Sequence, residues 1–335
     1  MDISPCGFKS RLEYIRTFNL YWLEVFFVPS KIINSPIFTA MHPDNPYQNS
    51  YNFTKYIEAY ESLKEHVVLN PSDQETIHFS DSNAVYAMNK AMLLADYSLE
   101  DYVLPKGYLI PPVPGRLDYL LFLRDFLLKR FNLSTKKPLK GLDMGSGANA
   151  IYCILGAQHF GWFMVGAESD AKAVEIAHKN IQRSKALNDR IEIRLQENKQ
   201  FLFKHMIQPN DSFDFSVCNP PFHSSKEEAL KGSIKKHQNL GSRLNSSSEL
   251  LNFEGQANEL WCNGGEALFI KRLIKESLAF KKQVKVFSSL ISKTESITII
   301  EKSLKKAGAN HLFIPMEIGN KMSRIVVWWY EHTHS

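Results

Sequence analysis

The chain of 335 residues is 44% hydrophobic and 22% charged, ordinary for a soluble globular protein and long enough for one large α/β domain or a medium domain with additions. A formal net charge of +5 permits an anionic partner without demanding one. The four cysteines, Cys6, Cys153, Cys218 and Cys262, are scattered with no C-x-x-C pair, which suggests neither a disulfide framework nor a zinc site and fits a reducing cytoplasm.

Residues 1–40 differ from the rest. The run "FNLYWLEVFFVPSKII" is apolar and follows Lys9, Arg11 and Arg16, a loose imitation of a signal peptide. Glu24 interrupts it well short of the roughly 20 residues a bilayer span needs. Three readings stand: an N-terminal appendage, a cryptic targeting segment, or sequence upstream of a start at Met41. From Met41 the polar, turn-rich "MHPDNPYQNSYNF" predicts an ordered arm. Helical spacing covers 54–66 and 83–95, the second with Asp81 and Ser82 as caps. The prolines of "LIPPVPGR" (109–116) predict a non-helical lead into the apolar helix "LDYLLFLRDFLLKRF", which Asn132 and Pro138 help to end. Residues 41–135 thus read as an arm and helical region packed on or beside the remainder of the chain.

Residues 136–335 alternate strand and helix, the pattern of a parallel sheet with crossovers. Strands are predicted at 139–145, 162–168, 191–195 and 213–219, with a helix to about 159 and another over 170–187. The fourth strand, "FDFSVCN", is nearly continuous in apolar residues, as a central parallel strand should be. A long loop, 223–264, rich in Ser, Asn, Gly and Lys, comes next. Helices at 266–281 and 294–307 and strands at 284–290, 311–317 and 324–330 complete a mostly parallel, seven-stranded α/β arrangement.

Three strand ends carry chemistry. "DMGSGAN" (Asp143 to Asn149) turns a strand into a helix; Gly145 and Gly147 let the backbone approach a ligand, and the helix N-terminus beyond offers unpaired N–H groups. It is not the dinucleotide fingerprint, and Asp143 would repel a pyrophosphate. An acidic strand end suits a ligand carrying an ammonium and a sulfonium, such as S-adenosylmethionine. Glu168 ends the second strand, 25 residues after Asp143, where a carboxylate can accept two ribose hydroxyls. "NPPF" ends the fourth. The Asn219 side-chain oxygen and the Pro220 carbonyl can accept the two N–H protons of an exocyclic amine, drawing its delocalised nitrogen toward tetrahedral geometry. Pro220 and Pro221 hold that acceptor stiffly, and Phe222 offers a face for a flipped base. Taken singly, each feature is a common turn or a solvent-facing acid; at successive strand ends they converge on one site.

These residues resemble a known family. "DMGSGAN", "GAE" and "CNPPFH", with "PPVPGRLDY" upstream and "NFEGQANELWCNGGE" downstream, look like the ribosomal RNA large subunit methyltransferase F family, a bacterial relative of the human methyltransferase-like protein that modifies U6 small nuclear RNA. The likeness runs over about 41–330 and includes "MHPDNPY", "NKAMLL" and "GNKMSRIVVWWY". It implies a class I S-adenosylmethionine-dependent methyltransferase fold, Rossmann-like, and N6-methylation of a single adenine of 23S rRNA, adenine 1618 in the family. It puts Arg116 at the methionine carboxylate of the cofactor and Gly145, Ser146, Gly147 and Ala148 on the cofactor loop. Glu168 falls on the ribose, and Asn219, Pro220, Pro221 and Phe222 at the target amine. The arm departs from the family's Arg-bearing form, with Asp44 and Pro46 here.

For the RNA, Lys226, Lys231, Lys235, Lys236 and Arg243 outnumber Glu227 and Glu228 in the loop beside the target pocket, with Lys321 and Arg324 as a second, weaker set. The expected partner is 23S rRNA or a large-subunit assembly intermediate, met by a cytoplasmic monomer without metal or membrane attachment. Alternatives are an adenine-N6 methyltransferase acting on another RNA or on DNA, a protein glutamine-N5 methyltransferase, and a non-catalytic RNA-binding protein of the same fold. Glutamine enzymes typically place Tyr after the prolines, so Phe222 favours a nucleobase.

Overall fold

Five successive β-crossovers and a final hairpin build one sheet of seven strands. The computed structural model describes residues 41–105, 108, 110–133, 137–221, 264–318 and 321–331. Residues 1–40, Phe222, Lys226, Lys231, Lys235, Lys236 and Arg243 lie outside the described residues.

The strands are β3 (Lys140–Met144), β4 (Phe163–Glu168), β5 (Ile191–Leu195), β6 (Phe213–Cys218), β7 (Val284–Ile291), β8 (Asn310–Ile318) and β9 (Lys321–Trp329), in the order 5-4-3-6-7-9-8. Only β9 runs against its neighbours, pairing antiparallel with both β7 and β8. Strand order reverses at β3, which pairs with β4 on one side and β6 on the other. Open α/β sheets bind ligands at such a reversal, beyond the carboxyl ends of the strands.

Helices α3 (Val113–Phe131), α4 (Ile151–Phe160), α5 (Ala171–Arg183), α7 (Gly265–Ser277) and α8 (Ser296–Lys306) cover the sheet; α6 (Lys185–Asn188) is a single turn. The core joins Leu142, Met144, Val165, Phe203, Phe213, Phe287 and Trp328. Before the sheet come α1 (Phe53–Ala59), an antiparallel pair β1 (Val67–Leu69) and β2 (Glu75–Ile77), and α2 (Ser82–Tyr97). No helix among the described residues is long and apolar enough to cross a membrane.

Three local readings are corrected, and one element is added. The "VPGR" end of 109–116 is helical, for α3 begins at Val113. Pro114 sits in the first turn, where the missing N–H would have had no helical partner, and Asn89 Oδ1 accepts the Val113 N–H at 2.8 Å. The helix expected over 54–66 breaks at Tyr60, whose extended backbone leads into a 3₁₀ segment, Glu61–His66. The helix expected over 170–187 stops at Ser184, also extended, whose hydroxyl accepts the Glu100 N–H. The β1–β2 pair had no strand signal, being three residues a side.

The arm is tied down by polar bonds. Asp118 of α3 accepts the His42 N–H and the Asn45 side-chain amide, each at 2.8 Å. Asp96 of α2 accepts the hydroxyls of Tyr47 and Tyr56. Asp44, where the family resemblance expects basic character, pairs with Arg124 of α3.

Candidate active site

A cleft of about 220 Å³ opens over the carboxyl ends of β3, β4 and β6. Of the residues expected there, Arg116, Gly145, Ser146, Gly147, Glu168, Asn219 and Pro221 line it. Asp143, Ala148 and Pro220 are buried and do not line it. Lys321 opens β9 opposite Ile318, and Arg324 reaches the Thr294 hydroxyl at 3.4 Å without lining the cleft.

The glycine loop is folded by the end of β4. Gly145 and Gly147 hold φ of 79° and 62°, which side-chain-bearing residues rarely adopt. The Gly145 and Ser146 N–H groups both donate to the Ala167 carbonyl, at 2.8 and 3.1 Å. The Gly147 N–H donates to Glu168 Oε2 at 2.9 Å, while Oε1 accepts the N–H groups of Ser169 and Asp170. Glu168 therefore shapes the loop as well as facing the cleft. The helix beyond starts only at Ile151, and Asn149 Oδ1 caps its N–H at 3.1 Å. The free N–H groups expected at that helix start are thus partly taken, and the cleft is walled by loop backbone and side chains instead.

Arg116 is 7% exposed and donates to the Tyr152 hydroxyl at 3.2 Å. No carboxylate of the described residues forms an ion pair with it. Burial pushes the Tyr152 phenol up to about 12, so it stays neutral and leaves the guanidinium charge available to an anion. Asp143 sits under the loop at 1% exposure. Its Oδ2 accepts the Cys153 thiol at 3.7 Å, and its Oδ1 has no partner among the described residues. Burial, with the charge of Glu168 added, pushes this carboxyl up to about 7 against the opposing pull of the Cys153 thiol and Arg116.

At the end of β6, Asn219 Oδ1 is buried with no hydrogen-bond partner among the described residues. Leaving an acceptor unpaired costs about 1–3 kcal/mol. A donor brought by a ligand would remove that cost.

Sequence reasoning missed the rest of the lining: Tyr152, Gln196, Lys199, Phe201, Phe269 and Arg272 among others. Gln196 follows β5 directly, so the strand-edge rule applied to the third strand would have found it. Phe269 and Arg272 arrive on α7 by tertiary packing, and no local pattern marks them.

Taken together, the cleft offers a buried cation, a carboxylate bonded to the glycine loop, and an amide acceptor with no partner among the described residues. Comparison with known proteins gives this a family. A family described as RNA methyltransferase matches residues 37–332. The chain is 47% identical over 291 residues to the ribosomal RNA large subunit methyltransferase F of Christiangramia forsetii, covering 87% of this chain and 100% of the relative. It is 41% identical over 291 residues to the one from Desulfotalea psychrophila, covering 86% and 94%. Among solved structures it is similar to the catalytic domain of human METTL16 in complex with an RNA hairpin of the MAT2A 3′UTR, with a TM-score of 0.72, 28% identity and coverage of 88% and 97%. It is also similar to the N-terminal domain of human METTL16 in complex with SAH, with a TM-score of 0.69, 25% identity and coverage of 88% and 100%. With its reversal at β3 and its single antiparallel strand, the sheet is that of a class I methyltransferase, and the chain belongs to the ribosomal RNA large subunit methyltransferase F family of RNA methyltransferases.

Proposed function

We propose that this RNA methyltransferase transfers a methyl group from S-adenosylmethionine to the exocyclic N6 amine of a single adenine in 23S rRNA, the adenine numbered 1618 in the family. The observation that carries the reading is the buried Asn219 oxygen, without a partner among the described residues, in a cleft also lined by Arg116 and Glu168. The residues fit the cofactor: Arg116 would hold its carboxylate, Glu168 its ribose hydroxyls, and the Gly145–Gly147 loop its body. A Cβ built on Gly145 meets nothing within 4 Å, so space stands over the loop where a ligand would lie. Bound there, S-adenosylmethionine supplies an electrophilic methyl.

The chain's own part is acceptance and orientation. Asn219 Oδ1 accepts one N–H of the adenine amine, and the adjoining Pro220 carbonyl, which lies outside the cleft lining until a base is seated, the other. Both acceptors favour the pyramidal nitrogen and aim its lone pair across the cleft. The nitrogen loses its proton after it has become cationic, so no strong base is needed. Phe222 gives the flipped base a stacking face, and the basic residues from Lys226 to Arg243 bind the phosphates around it. Lys321 and Arg324 form a second phosphate contact. Such a substrate implies a cytoplasmic enzyme; a monomer is the form proposed for it.

The test is incubation with labelled S-adenosylmethionine and unmodified 23S rRNA, followed by nucleoside mass spectrometry. N6-methyladenosine at one site supports the reading. Label appearing instead in protein glutamine or in DNA would overturn it.

A further inference from the structure

The catalytic end of β6 outruns the strand beside it. β6 pairs with β3 as far as Cys218↔Met144, but with β7 only as far as Ser216↔Phe287. In a parallel ladder Ser216 and Cys218 present their backbone groups to the same side. Toward β7, then, the last N–H before Asn219 lacks a strand partner and must find another.

It finds one in α3. The Cys218 N–H donates to the hydroxyl of Tyr119, a residue with no exposed surface. That hydroxyl lies 2.9 Å from Ser288 Oγ on β7, and Ser288 Oγ donates to the Ser216 carbonyl at 2.6 Å. Because the Ser288 proton is committed to Ser216, the proton between Tyr119 and Ser288 comes from the phenol, which burial keeps protonated. Two buried hydroxyls thus bridge Cys218 back to Ser216, replacing the missing stretch of ladder. The other edge of Tyr119 meets the Tyr152 ring at 5.3 Å, and Tyr152 is the partner of Arg116. One turn of α3 therefore braces two groups of the cleft lining, Arg116 directly and Asn219 through Cys218.

We propose that Tyr119 is a positioning residue for methyl transfer: with Ser288, it fixes Cys218 and so sets where the Asn219 acceptor stands in the cleft. This rests on Asn219 being the acceptor of the target amine.

Tyr119→Phe removes one oxygen and keeps the ring. The test compares wild type, Tyr119→Phe, Ser288→Ala and Asn219→Ala in three measurements: S-adenosylhomocysteine binding by calorimetry, KM for S-adenosylmethionine, and kcat on 23S rRNA. Misplacement near the reacting atoms is costly, so kcat in Tyr119→Phe is expected to fall about 10-fold or more, with Kd and KM within about 3-fold of wild type. Ser288→Ala should show the same split more weakly, and it reads the bridge from its far end should Tyr119→Phe fail to fold. An unchanged kcat in both variants would overturn the proposal, as would equal losses in binding and turnover alongside a lowered Tm. If Asn219→Ala itself retains transfer, the reading of the site falls and the proposal with it. If Asn219→Ala is inactive while Tyr119→Phe and Ser288→Ala are not, the proposal alone falls.

Discussion

Among the described residues, four in the cleft region hold polar groups that the fold leaves incompletely matched, the Ser146 hydroxyl being one. Arg116 has a phenol where a buried guanidinium would best meet a carboxylate, Asn219 has an acceptor without a donor, and Asp143 has one oxygen bonded only to a thiol. Asp143 has a consequence for pH. Its carboxyl titrates at about 7 when folded, against 3.8 for an ordinary aspartate. Between those values the folded chain binds a proton that the unfolded chain has released, so stability falls as pH rises through this window and levels off above it. The full difference is about 4 kcal/mol. Asp143→Asn removes that titration, so urea unfolding should show the variant gaining on wild type between pH 5 and pH 8. A gap between the two that stays constant across this range would contradict the assignment. The importance of Asp143 was legible in the sequence as an acid at a strand end. Its depth was not, because burial under the loop depends on Gly145 and Ser146 bonding across to Ala167.

Among the elements, α7 does more than cover the sheet. Its Glu276 accepts the Leu202 N–H at 2.8 Å and the Lys204 N–H at 2.7 Å, one on each oxygen, while Arg272 donates to the Gln200 carbonyl at 3.1 Å. The helix thereby holds the loop that brings Lys199, Phe201 and Leu202 to the cleft. Gln at 276 would turn an amide NH₂ toward one of those N–H groups. Glu276→Gln is expected to cost about 1–2 kcal/mol in urea unfolding. It should also speed hydrogen exchange at Leu202 and Lys204, and unchanged protection there would count against the role. None of this was visible in the sequence, where α7 reads only as a helix. The start of α3 was hidden for a different reason: prolines read as helix breakers, although one in a first turn forfeits no bond. By contrast, each of the seven sheet strands was legible, the central parallel ones as short apolar runs between turns.

At the scale of the molecule, the order 5-4-3-6-7-9-8 gathers strand ends far apart in the chain, from Gly145 to Asn219, at one reversal point. Strand count and a mostly parallel sheet could be read from the alternation, and the rule that ligands sit at carboxyl edges placed the cleft. What alternation could not reveal was the packing of α3 and α7 against that edge, which supplies Arg116, Tyr119 and Arg272. Nor could it show that Asp44 pairs with Arg124 at the surface, which gives an acidic residue in the arm a partner. The central claim is that Asn219 serves the methyl transfer and not the cofactor. The most direct measurement takes Asn219→Ala and wild type side by side, reading S-adenosylhomocysteine affinity by calorimetry and N6-methyladenosine formation in 23S rRNA by mass spectrometry. Affinity within about 3-fold of wild type, with transfer reduced about 100-fold or more, is the predicted result. Transfer that survives the substitution, or affinity that is lost with it, would contradict the account.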